Sequence, residues 1–149
     1  MTSVPWVWDD KTIPTDSNLL RRVPRKPSCV VADPATSQAI LKHEAFTYDH
    51  GSGMSVSLGC AFAGGTPRDV VEWTTNALAV FTVAIARSSV SGVVSYPTEE
   101  DDSHGLVRVA GDSEGRAARR AHWLPLRSRI REAARYVDSP EDLDEAPTR

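Results

Sequence analysis

Cysteine, aromatic residues and long apolar runs are all scarce in this chain. Its 149 residues include two cysteines and 7% aromatics, and no apolar stretch approaches the roughly 18 residues that a membrane helix needs. Two thiols cannot build a disulfide framework. Both Cys29, in SCVVAD, and Cys60, in SLGCAF, sit in apolar runs, which predicts buried free thiols. No histidine adjoins either, so neither reads as an activated nucleophile. The opening residues lack a basic-then-apolar leader, and the expectation is a cytoplasmic chain with no membrane span.

Catalytic signatures are missing too. The serine elbow GxSxG does not occur, and the nearest string, GMSVS at 53–57, lacks the final glycine. GGTPRD at 64–69 lacks the lysine and hydroxyl of a phosphate-cradling loop, and no full GxGxxG is present. His43 and His50 flank EAFTYD without a recognised ligand spacing, so neither a metal nor another cofactor is expected. His104 follows Glu99, Glu100, Asp101 and Asp102, a run read as a solvated loop, with a cation-binding loop as the alternative. Enzymatic activity is therefore left open.

What is present suffices for one small core. Val, Leu, Ile and Phe number 32, and the length fits a single domain. The formal net charge of −3 argues against general affinity for nucleic acid, but it hides segregation. Residues 113–137 carry seven cations against two acids, and residues 138–149 one cation against five acids.

Local patterning predicts an α+β fold: a mixed or antiparallel sheet of about five strands, one central helix and a C-terminal helical pair. Strands are expected at 19–23, 28–33, 54–62, 79–87, 90–96 and 106–111, with 39–48 either strand or short helix. Arg108 should face away from the core. Thr66, Pro67 and Asp69 form a capping pattern that predicts a helix over 67–77. From Ser113 the period becomes helical, which predicts helices at 114–123 and 126–137, or one helix kinked at Pro125. The layout is then an N-terminal arm at 1–18, one domain at 19–137 and a disordered acidic tail at 138–149.

Two features point to a partner. Arg127, Arg131 and Arg135 fall at i, i+4, i+8 and would form a stripe on the last helix, with Arg116, Arg119 and Arg120 on the turns before it. Like charges so arranged repel unless an anion or an acidic surface compensates them; the acidic tail could fold back to do so. Trp6 and Trp8 share one side of an extended arm and could anchor a partner. The favoured reading is a non-catalytic accessory or regulatory protein that binds a protein partner with an acidic surface. Nucleic acid is the less favoured partner, and the sequence leaves oligomeric state open.

Two strings resemble the ADP-ribosyltransferase superfamily. LLRRV at 19–23 is similar to its first-strand segment carrying an Arg, and SVS at 55–57 to its Ser-Thr-Ser strand with Val in the middle. That resemblance implies that Arg21 or Arg22 holds dinucleotide phosphates and that Ser55 orients the ribose, with Ser57 as a further residue of the site. The family's catalytic Glu has no matching motif, so Glu99 or Glu100 would have to serve.

Overall fold

The alternation of apolar and polar side chains in NLLRRVP and MSVSL is that of sheet strands covered unequally on two faces. A computed structural model describes residues 9–49, 53–61, 71–96, 103–111 and 114–145, and it bears out the α+β class. Eight strands form: β1 Asn18–Pro24, β2 Val30–Ala32, β3 Ala39–Leu41, β4 Met54–Leu58, β5 Asn76–Thr82, β6 Ser91–Ser95, β7 His104–Val109 and β8 Arg135–Val137. Six make one antiparallel sheet in the order β6-β7-β4-β1-β5-β8, and β2 pairs with β3 in a small second sheet. The helices are α1 Val83–Ala86, α2 Arg116–Ala133 and α3 Pro140–Glu145, with 3-10 turns at His43–Ala45 and Gly59–Ala61.

The main core lies between one face of the large sheet and α2. Leu19, Val23, Met54, Val56, Phe81, Val93 and Val107 meet Trp123, Leu126 and Ile130 there, joined by Phe46 and Cys29 from the segment between β1 and β4. Each such fully buried apolar side chain contributes about 1.5–3 kcal/mol. The opposite face carries a smaller cluster of Leu20, Val71, Leu78, Val80 and Val137, with Trp73 packed against it. Gly105 marks a close approach between strands: a Cβ there would stand 2.6 Å from Leu58 Cδ2.

Several expectations need correction. The strand expected over 79–87 stops at Thr82, whose hydroxyl accepts the Ile85 N–H at 3.3 Å and caps α1, turning Val83 and Ala86 into the core. Of the helix expected over 67–77, residues up to 70 lie outside the described set. Thr75 N–H and Asn76 N–H instead close a turn on Glu72 O before β5 begins. At the C-terminal end the second of the two expected forms is found, one helix with Pro125 inside, but it stops at Ala133, and residues 135–137 are strand β8. The apolar spacing of Ala133, Ala134 and Val137 fits either state; pairing of Val137 with Leu78 on β5 decides it by burying Val137 completely. The segment expected to be a disordered tail carries α3, where Ser139 Oγ accepts the Asp142 N–H at 3.4 Å. Arg108 does point away from Val107 and Val109, yet it is buried at 7% exposure. Cys29 is buried, whereas Cys60 is exposed.

The arm at the N-terminal end guards an edge. Asp10 N–H donates to Val93 O at 2.7 Å and Val93 N–H donates to Asp9 Oδ1 at 3.0 Å, so residues 9–10 occupy part of the outer edge of β6. No described helix is long and apolar enough to cross a membrane.

Candidate functional site

Helix α2 carries six arginines and one glutamate. Two of the arginines, Arg127 and Arg131, lie beside His43 of the 3-10 turn, and the charge of Arg120 reaches Arg127. Arg131 donates from Nη1 to Leu41 O at 3.2 Å, which ties the helix to the end of β3. Burial lowers the Arg127 pKa, and Arg120 and Arg131 lower it further by repulsion. His43 is held below the ordinary imidazole value by desolvation and then by Arg127 and Arg131. Among the described residues no carboxylate bridges Arg120, Arg127 or Arg131.

Arg135 does not belong to this face. It lies in β8, opposite Val80, and lines a separate cavity of about 290 Å³ with Asn18, Thr82 and Ala133. The stripe expected at i, i+4, i+8 therefore keeps only its first two members, because the helix ends before the third. Arg120 replaces it, seven residues before Arg127. Asp138, the first acid of the segment that could have neutralised the face, is engaged elsewhere: it accepts from Arg25 Nη1 at 2.6 Å and from the Tyr136 hydroxyl at 3.0 Å. Trp6 and Trp8 lie outside the described residues.

A second polar group lies at the seam between β1 and β4, with Arg21 on the α2 side of the sheet and Arg22, Ser55, Ser57 and His104 on the other. β1 pairs with β5 along all seven residues but with β4 only at Leu19↔Leu58 and Leu20↔Ser57. Beyond that point Arg21 enters between the strands. Its guanidinium donates to Ala45 O at 3.0 Å, to Ser55 O at 2.8 Å and to Thr47 Oγ1 at 2.7 Å. Burial lowers the pKa of this group, while Asp49 acts the other way. Where the strands part, a cavity of about 90 Å³ opens, lined by Leu20, Arg21, Arg22, Ser55, Val56, Ser57 and His104.

In that cavity Ser55 Oγ and His104 Nε2 stand 2.6 Å apart. His104 Nδ1 is 2.9 Å from Tyr96 O, a carbonyl that can only accept, so Nδ1 carries a proton and, in the neutral imidazole, Nε2 accepts from Ser55. The Tyr96 ring meets the imidazole edge-on, with centroids 5.6 Å apart. All four residues named from the family resemblance, Arg21, Arg22, Ser55 and Ser57, thus line one cavity, though the Arg21 guanidinium is fully engaged by protein oxygens. Glu99 and Glu100 lie outside the described residues.

His104 is the residue that sequence reasoning missed here. Alternation in MSVSL and HGLVRV places Ser55, Ser57 and His104 on polar strand faces, but the pairing of β4 with β7, which sets Ser57 opposite His104, is set by topology. His43 and His104 do not meet: the first borders the α2 arginines and the second bonds Ser55. Among the described residues no group of three His, Cys, Asp or Glu side chains converges to hold a metal ion. A further cavity, an open groove of about 500 Å³ between the small sheet and Tyr136, has Arg25 in its wall already paired with Asp138. Compared with known proteins, the chain matches no family model, no curated protein and no solved structure.

Proposed function

We propose that this protein is an accessory protein that docks an acidic surface of a partner protein on Arg120, Arg127 and Arg131 of α2. The observation that carries the reading is the position of Arg127, its pKa lowered by burial and then by the charges of Arg120 and Arg131, with no bridging carboxylate among the described residues. An acidic partner would relieve that repulsion, and the planar guanidinium forks are suited to paired bonds with carboxylates.

The Arg131 bond to Leu41 O fixes one edge of the face, so part of the ordering cost is met before a partner arrives. Steering by such a face raises association rates and weakens with salt. The overall charge of −3 favours a protein partner over a nucleic-acid backbone.

The test is affinity capture from a nuclease-treated native extract at low and high salt, with the double variant Arg127→Glu, Arg131→Glu run in parallel. A stoichiometric protein partner held by the wild type at low salt, and lost with the variant or at high salt, supports the reading. Equal capture by the variant overturns it.

A further inference from the structure

We infer that Ser55 and His104 form an activated-serine site that takes short-chain carboxylic esters, independently of the arginine face on α2. Three geometric features converge. The hydroxyl lies 2.6 Å from an imidazole nitrogen that accepts in the neutral tautomer set by the Tyr96 carbonyl. The far ring nitrogen is anchored on Tyr96 O at 2.9 Å, which fixes the tautomer as the orienting third member of a triad does. The pair borders a cavity of about 90 Å³ with Arg22 in its wall, a volume suited to a small acyl group.

The site arises from the parted strands and not from a strand-to-helix elbow, so GMSVS needs no second glycine to present Ser55. Arg21 is a positioning residue: by holding Ser55 O it takes the place of a β1 ladder bond and keeps the two strands apart. Arg22 supplies positive charge for an oxyanion, since its neighbour Arg21 is committed to Ala45, Ser55 and Thr47.

In the acylation step Ser55 Oγ bonds to the acyl carbon as its proton passes to His104 Nε2. The tetrahedral intermediate then breaks the ester C–O bond, and that proton leaves with the alcohol. A water molecule, giving its proton to the same nitrogen, attacks acyl-Ser55; the free acid departs and the proton returns to Oγ.

The experiment is labelling of the full-length protein with a fluorophosphonate probe, mapped by peptide mass spectrometry, alongside release of p-nitrophenol from p-nitrophenyl acetate. The expected result is label on Ser55, none in Ser55→Ala, and labelling slowed roughly a hundredfold in His104→Gln. Ser128→Ala, on α2 and outside the cavity wall, should label as the wild type does, and circular dichroism identifies any variant that fails to fold. Absence of label from the wild type, label at another residue, or full reactivity in a folded His104→Gln overturns the assignment. The charge-reversal variant on α2 should label normally, which separates this site from partner docking.

Discussion

Arg87 and Asp9, 78 positions apart in sequence, meet through an Nε···Oδ1 contact of 2.9 Å with both side chains largely shielded. Arg87 also donates to Asp10 O at 2.8 Å and to Thr15 Oγ1 at 3.0 Å, while Asp9 accepts the Val93 N–H. One side chain therefore fastens the arm across the outermost strand of the sheet. Replacing Arg87 by Met leaves the shielded Asp9 carboxylate with only the exposed Lys11 as a cation and should cost about 2 kcal/mol, measured by urea unfolding.

The same carboxylate gives the fold an acid-sensitive component. Burial alone would raise the Asp9 pKa, but the bonds from Val93 N–H, Arg87 and Lys11 outweigh it and hold the group below its ordinary value. A depressed folded pKa contributes stability that is present above the unfolded value of about 3.9 and is lost as pH falls through the folded one. Asp9→Asn should therefore flatten the loss of stability below about pH 4, seen as a smaller drop in Tm between neutral and acid buffer than the wild type shows.

Arg21 is a structural cation whatever else the cavity does. Its guanidinium satisfies two backbone carbonyls and one hydroxyl. Arg21→Met should destabilise by about 3 kcal/mol, because it strands buried acceptors, and Arg21→Lys should recover only part of this, since an ammonium cannot span the same three oxygens. Denaturant midpoints of the three proteins check the order.

His43 supplies a pH signature for partner docking. Desolvation, Arg127 and Arg131 lower its pKa in the free protein, so the unbound state resists protonation. An acidic surface seated on the arginines reverses the local field and raises that pKa, so binding takes up a proton and tightens as pH falls from about 7 to about 5.5. Titrations across that range should show the trend in the wild type and lose it in His43→Gln.

The helix boundary at Ala133 separates two arginines that the sequence spacing joined. Arg135→Glu, in β8, should leave capture of the partner unchanged, while Arg120→Glu should weaken it severalfold, as expected for a charge inside the docking face. Reversal of that order would return the stripe to 127, 131 and 135.

Strand character was legible wherever alternation ran unbroken, as in β1, β4 and β7, because a half-covered sheet imposes period two on the side chains. Element ends were less so. Thr82 reads as a strand residue until its hydroxyl is seen capping α1, and Val137 fits a helical period until β5 offers it a partner. The arginine face was visible as a charge run, but its membership depended on where α2 stops. The Ser55 and His104 contact was not legible, since residues 49 apart meet only once β4 and β7 are neighbours. Local preference fixes the state of a segment; partnership between segments is a property of the whole sheet.

The most direct test of the docking account is the salt dependence of binding between purified full-length protein and the partner captured at low salt, followed by fluorescence anisotropy. An affinity that falls steeply as ionic strength rises from about 50 to about 300 mM, and a shallower slope for Arg127→Glu, Arg131→Glu, are the expected results. Binding that ignores both salt and the double variant would contradict the assignment of the α2 arginine face as the docking surface.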